Sequence, residues 1–265
     1  MQYIDTHSHY THRLFDKDRE VLMETLLNED VEYIVECGTD THSNRRVIDF
    51  IKQHPKVYGV IGFFPTSTDQ LECKENWNTF VNQLNNDKII GIGEIGLDYY
   101  HKNNPNQQKK WFIEQLKLAK KVGLPVCIHS RDAEKDTLDI LKNNGKMNGV
   151  IHCYSYGTKT MRELVKLGYY FGIGGTCTYK NNVELREAIK QMPLDRIVLE
   201  TDCPYLTPVA IKYERNDSGK IRYVIEEIAK LKNITTDEVI SATNKNVRNL
   251  YPKMFVSTKH CGSEE

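Results

Sequence analysis

With 265 residues, the chain is long enough for one large core, and its 36 Lys plus Arg balance 36 Asp plus Glu to a formal net charge of zero. That balance excludes a protein that grips polyanions with a uniformly basic face, so any anionic ligand must be attracted locally. No apolar run approaches the ~20 residues of a membrane span, and Met1-Gln2-Tyr3-Ile4-Asp5 shows no basic-then-apolar leader. The seven Cys lack paired C-x-x-C spacing, and Cys127, Cys153 and Cys203 fall in or beside apolar runs. They read as reduced thiols of a cytoplasmic protein.

Short apolar runs alternate with amphipathic, charge-rich stretches along the whole chain. Run 3–6 precedes a helical pattern at 18–28, run 31–37 one at 42–54, run 57–63 one at 75–85, and run 89–95 one at 107–122. Run 125–129 precedes 133–142, run 149–153 precedes 159–166, run 169–174 precedes 183–191, and run 196–201 precedes 221–232. Most runs are almost continuously apolar, as parallel strands covered on both faces are. Pro105 suits the first turn of the fourth helix and Gly123 its stop, while Gly168 ends the sixth. A last helix, 236–249, opens with Thr235-x-x-Glu238, a pattern in which each side chain satisfies an exposed backbone N–H. Eight β-then-α repeats predict an α/β fold closed as a single (β/α)8 TIM barrel over residues 1–256, with a polar tail at 257–265. An open doubly wound sheet is the alternative, but no G-x-G-x-x-G follows the first run.

Metal-ligand residue types stand at the carboxyl ends of five predicted strands. His7 and His9 close the first as His-x-His, and residues two apart in a strand point the same way. Glu94 ends the fourth, His129 the fifth, His152 the sixth and Asp202 the eighth. Barrel strands end around one mouth, where active sites form. Any one of these residues alone would read as a satisfied core group, but four His and two carboxylates at one rim read as a ligand set. Six ligands exceed the three or four that one catalytic ion takes. Two divalent ions roughly 3.5–4 Å apart are expected, with Glu94 placed to bridge them.

Imidazole and carboxylate suit zinc, manganese, iron or nickel, and magnesium fits a four-His set less well. Two such ions bring four positive charges, of which two carboxylates and a hydroxide remove three. The remainder favours a phosphate ester, whose oxygen gains charge in the transition state, over an uncharged amide. Asp202 has two expected roles, ligand and acceptor of the attacking water's proton. Glu200, two residues earlier, is expected to hydrogen-bond a ligand rather than bind an ion itself.

The segments Asp5-Thr6-His7-Ser8-His9, Gly93-Glu94-Ile95-Gly96-Leu97-Asp98-Tyr99-Tyr100, Ile128-His129-Ser130-Arg131-Asp132-Ala133, His152-Cys153-Tyr154-Ser155 and Glu200-Thr201-Asp202-Cys203-Pro204-Tyr205-Leu206-Thr207-Pro208 resemble the TatD family of metal-dependent deoxyribonucleases. The resemblance runs from about Met1 to Tyr251. It implies an amidohydrolase-type barrel that hydrolyses DNA, often as a 3′-to-5′ exonuclease acting on single strands or 3′ ends. It also implies that His7, His9, Glu94 and Asp202 hold one ion, and Glu94, His129 and His152 the other.

Three stretches depart from the family pattern. Gly62-Phe63-Phe64-Pro65 stands where the family usually has Gly-x-His-Pro. Tyr10-Thr11 replaces Leu-Asp after the His-x-His, and of Arg-Gly-Lys-Arg-Asn-Glu-Pro only Arg215-Asn216 survives within 212–218. Phe64 can neither ligate nor donate a proton, so either that His is dispensable, or His12 or a nearby group replaces it, or the substrate differs.

On the substrate side, Arg131 could clamp a phosphate with its planar fork or pair with Asp132. Tyr154 and Tyr99 could stack on bases or simply pack. Arg215 is a candidate phosphate contact, although Arg215 and Lys180 also read as solvated loop cations. Trp77 and Trp111 read as core. Two alternatives to the nuclease stand beside it. One is a hydrolase of the same fold acting on another ester or amide, such as a lactone or an aminoacyl-tRNA ester. The other is a catalytically silent metal-binding scaffold, against which the intact Asp202 argues.

Overall fold

The eight apolar runs all form strands: β1 (Tyr3–Ser8), β2 (Val31–Cys37), β3 (Val57–Ile61), β4 (Ile89–Asp98), β5 (Val126–Arg131), β6 (Gly149–Ile151), β7 (Tyr170–Ile173) and β8 (Ile197–Leu199). This is a computed structural model that describes residues 1–101 and 104–256. The predicted tail at 257–265 lies outside the described residues. The strands pair in parallel in the order β1 to β8, and an isolated bridge between Ser8 and Cys203 brings the last back to the first. The result is a (β/α)8 barrel.

Between the strands run α1 (Arg19–Asn28), α2 (Thr41–Gln53), α3 (Lys74–Gln83), α4 (Pro105–Val122), α5 (Glu134–Asn144), α6 (Thr158–Leu167) and α7 (Val183–Gln191), and α8 (Ile221–Lys232) and α9 (Thr236–Leu250) follow β8. Their ends follow local chemistry. Asn104 caps α4 ahead of Pro105, and Gly123 stops it at φ 70°. Thr235 and Glu238 form the expected reciprocal cap on α9. Among the described residues, no helix is long and apolar enough to cross a membrane. A short 3-10 helix at Pro65–Glu72 has no counterpart in the sequence reading, because its polar residues carry no periodic apolar signal.

Alternation along the strands divides the core in two. Outward residues such as Ile34, Ile61, Ile89, Ile128, Phe171 and Leu199 pack beneath the helices. Ile4, Val35, Val60, Ile90, Cys127, Val150, Tyr170 and Val198, one from each strand, fill the barrel interior. Val247, Leu250, Tyr251 and Met254, at and beyond the end of α9, join this inner cluster and close the barrel floor. The interior is therefore packed rather than hollow, and only the mouth at the strands' carboxyl ends is free to hold chemistry.

The β1–β8 closure depends on polar groups. Asp202 N–H donates to the His7 carbonyl at 3.0 Å, and His9 N–H to the Cys203 carbonyl at 2.9 Å. Below them the buried Asp5 carboxylate accepts from Thr201 N–H (3.1 Å), Thr201 Oγ1 (2.7 Å), Ser218 Oγ (2.6 Å) and His7 N–H (3.2 Å). Burial lifts the Asp5 pKa to about 6, with these donors opposing the rise. Asp5→Ala leaves buried donors unpaired and is expected to lower unfolding free energy by about 2–3 kcal/mol, read from urea denaturation. An unchanged midpoint would mean that Asp5 does not tie the seam.

Candidate metal centre

Six side chains in or just beyond five strands converge at the mouth, and β4 runs on to Asp98 rather than ending at Glu94 as expected. His7 lies in β1 and His9 just beyond it, Glu94 in β4, His129 in β5, His152 directly after β6 and Asp202 three residues after β8. The Glu94 carboxylate stands between two pairs of imidazoles. Its Oε2 is 3.6 Å from His7 Nε2 and 3.9 Å from His9 Nε2. Its Oε1 is 2.9 Å from His129 Nδ1 and 3.9 Å from His152 Nε2. Asp202 Oδ1 faces the Nε2 atoms of His9 (3.3 Å), His7 (3.6 Å) and His152 (3.8 Å).

Each ring is held from behind by the nitrogen that does not face the centre. His9 Nδ1 lies 3.0 Å from the Cys37 carbonyl. His129 is turned the other way, its Nε2 resting 3.1 Å from Asp98 Oδ2, which His101 also contacts. His152 Nδ1 is 3.2 Å from Glu200 Oε1, close but poorly aligned for a hydrogen bond, and that oxygen also accepts from Cys153 N–H at 2.6 Å. Glu200 fits there because residue 172 is glycine; an added Cβ would strike its carboxylate. His7 Nδ1 is held by sulfur, 3.3 Å from Cys127 Sγ and 3.4 Å from Cys37 Sγ. Such partners fix a ring's tautomer and direction, as they do around metal-binding histidines.

Backbone conformation aims the remaining groups. Cys153 and Asp202 adopt left-handed φ values of 46° and 55° where the chain leaves β6 and β8. A non-glycine residue there costs on the order of 1–3 kcal/mol, a strain that collects at functional sites. Gly96, at φ 143°, allows β4 and β5 to approach at the His129 carbonyl, where a Cβ would collide.

The ligand-type atoms of His7, Glu94 and His152 lie within 4.8 Å of one another, as do those of His7, His9 and Asp202. Burial opposes charge on every member of the cluster, but the members overcome it for one another. Hydrogen bonds from His129 and His7 hold Glu94 well below the usual carboxylate range, and His9 lowers Asp202. Asp98 and Glu94 raise His129, Glu200 raises His152, and Asp202 raises His9. His7 rises to about 10 against burial and His152, through Cys127 and Glu94. Oriented nitrogens around ionised carboxylates are a donor set that fits divalent cations.

The TatD related DNase model matches residues 4–252. The chain belongs to the TatD family. YabD of Bacillus subtilis (strain 168), an uncharacterized metal-dependent hydrolase, is 37% identical over 251 residues, 93% of this chain and 98% of YabD. The Mycobacterium tuberculosis (strain H37Rv) metal-dependent hydrolase TatD, also uncharacterized, is 30% identical over 237 residues, 87% of this chain and 89% of its own. Among solved structures, the TatD homologue YJJV of Escherichia coli K12 superposes with a TM-score of 0.88 at 28% identity, over 94% of this chain and 98% of that one.

Around this TatD-family centre, two expected substrate contacts are corrected. Tyr154 is 1% exposed, packs edge-on against Phe171 and donates to the Gly157 carbonyl at 2.7 Å, so it offers no face to a base. Left-handed Cys153 turns the chain so that Tyr154 enters the core. Arg215 is bidentate to Asp18 at 2.8 and 2.7 Å, bonds the Leu14 carbonyl and lies over Phe15. Its guanidinium is engaged in joining two loops. Arg131 keeps its charge free of carboxylates among the described residues and lies 3.7 Å from the Tyr100 ring centroid. Tyr99 donates to Asp136 at 2.7 Å, and Trp77 and Trp111 pack together half-buried.

Phe64 rests against the His129 ring at 4.5 Å. His12 does not stand in for the missing His there; it sits beside Tyr205, 3.3 Å from its hydroxyl. Sequence reading missed Asp98 and the two thiols as ring holders. It also missed Glu36, whose buried carboxylate accepts from Tyr10 N–H (2.8 Å), Thr11 N–H (2.7 Å) and Ser8 Oγ (3.1 Å) and shapes the turn after His9. Only Asp98 left a trace, as a buried-strand carboxylate four residues after Glu94.

Raised ring pKa values have a signed consequence. The His7 ring, lifted to about 10, must release a proton to ligate, so zinc affinity should rise as pH increases toward about 10, with proton release in calorimetry. An affinity independent of pH, with no protons released, would contradict this.

Proposed function

We propose that the six residues hold two divalent ions bridged by Glu94, and that the protein hydrolyses phosphodiester bonds of DNA from single-stranded 3′ ends. The observation that carries this reading is the division of Glu94, with Oε2 turned to His7 and His9 and Oε1 to His129 and His152. His7, His9, Asp202 and Glu94 would hold one ion, and His129, His152 and Glu94 the other. Zinc, manganese, iron or nickel suits this set, with magnesium the poorer match. When bound, such ions supply Lewis acidity, which lowers the pKa of water and counters charge gathering on a phosphoryl oxygen.

The chain's own groups do the rest. Asp202 is kept ionised by His9 against its burial and is the proton acceptor for the attacking water. Asp98, Glu200 and the thiols of Cys37 and Cys127 keep the rings from turning. Phe64 packs against the His129 ring at a tilt. Arg131, free of carboxylate partners among the described residues, is the candidate phosphate clamp. The described cysteines are free, which fits a reducing cytoplasm. A second reading, hydrolysis of another ester such as a lactone or an aminoacyl-tRNA ester, is favoured by Phe64 standing where the family has His.

Two measurements test these proposals. His129→Ala should lower bound metal toward one ion per chain by elemental analysis, and equal content in variant and wild type would remove His129 from the ligand set. Labelled single-stranded DNA and a panel of small esters, each with and without chelator, should show chelator-sensitive loss of nucleotides. Asp202→Asn should slow that loss by about 100-fold or more with the fold intact by circular dichroism. Turnover of esters alone would replace the nuclease reading with the second one.

A further inference from the structure

The loops after β7 and β8, on the same rim, border an open cleft of about 590 Å³, lined by Tyr179, Lys180, Asn181, Val209 and Lys212. The first three follow β7 and the last two follow β8. In (β/α)8 barrels the loops after strands seven and eight frequently form a phosphate site. Hydrogen bonds join the two loops here: Tyr179 OH donates to the Thr207 carbonyl at 2.9 Å, and Val209 N–H to Thr178 Oγ1 at 2.9 Å. The cleft is thus preformed.

Neither Lys180 nor Lys212 has a carboxylate partner among the described residues, whereas adjacent Glu214 is engaged by Lys220 at 2.9 Å. In a protein of zero formal net charge, two unneutralised cations at one cleft supply the local attraction that an anionic ligand requires. The apolar components are Tyr179 and Val209, and the Lys212 ammonium lies 4.7 Å from the ring centroid of Tyr213, which is 92% exposed. Lysines beside aromatic faces are the chemistry that holds single strands, phosphates pairing with the cations and bases stacking on the rings. One segment links the cleft to the six-residue centre. Tyr205, half exposed, donates its N–H to the Asp202 carbonyl at 2.9 Å. The stretch from Asp202 to Val209 reaches at most about 25 Å.

We propose that this cleft is a second, non-catalytic binding site for single-stranded DNA, holding the strand a few nucleotides from the reacting phosphate through Lys180 and Lys212. The inference rests on the nuclease reading of the six-residue centre, and its test separates the two. The double variant Lys180→Ala/Lys212→Ala is compared with wild type on a long single-stranded oligonucleotide and on bis(p-nitrophenyl) phosphate, a diester too small to reach the cleft. The variant should raise KM for the oligonucleotide about tenfold with kcat little changed. Loss of two phosphate contacts should also flatten the plot of log affinity against log salt by about 1.4. Kinetics on the small diester should not move. An unchanged oligonucleotide KM and salt slope would overturn the cleft while leaving the nuclease standing. If wild type cleaves no DNA, the nuclease reading fails, and binding of the oligonucleotide to chelator-treated protein decides the cleft alone. There, a salt slope reduced in the variant supports it, and no binding or an equal slope overturns it.

Discussion

The β1–β8 seam is the constraint on which the centre depends. Strands that are first and last in the chain are joined by two backbone hydrogen bonds between the His7–His9 and Asp202–Cys203 stretches. Those bonds set the two imidazoles of β1 beside the carboxylate that follows β8. Asp5 ties the same seam one layer lower, through a bond to a residue 196 positions away. A slip of one residue would turn His7 and His9 away from the mouth, since side chains alternate along a strand. Closure of the barrel and assembly of the cluster are therefore one event.

Holding four imidazoles beside two ionised carboxylates demands more than convergence. Each ring needs a partner on its far side, and the fold draws these from different chemistry: a carbonyl for His9, carboxylates for His129 and His152, thiols for His7. The thiol pair occupies the inner cluster that also fills the barrel. Polar support and apolar packing thus meet at a single layer, with Cys37 and Cys127 belonging to both. A change of volume beneath His7 is consequently felt as a change in its direction.

Much of this is legible in the amino-acid sequence. The eight strands could be read because both of their faces are covered, which leaves a nearly unbroken apolar signature. The six converging residues could be read because barrel strands share one functional end. What could not be read depends on contacts across the barrel. Asp98 reaches His129 from the neighbouring strand, and the two thiols reach His7 from β5 and β2, in registers that no local pattern encodes. Of the two readings of Tyr154, packing holds, because the left-handed residue ahead of it turns its ring into the core. The pairing of Arg215 could not be read because its partner Asp18 is remote in sequence. Lys180 read as an ordinary solvated cation, and only the joined loops reveal Lys212 beside it.

The floor built by Leu250, Tyr251 and Met254 has a consequence for traffic. A vessel sealed at its base has one doorway. No polymer can be threaded through it from end to end, and whatever is released must retreat along the path by which it arrived. Arrival and departure therefore share one face of the molecule.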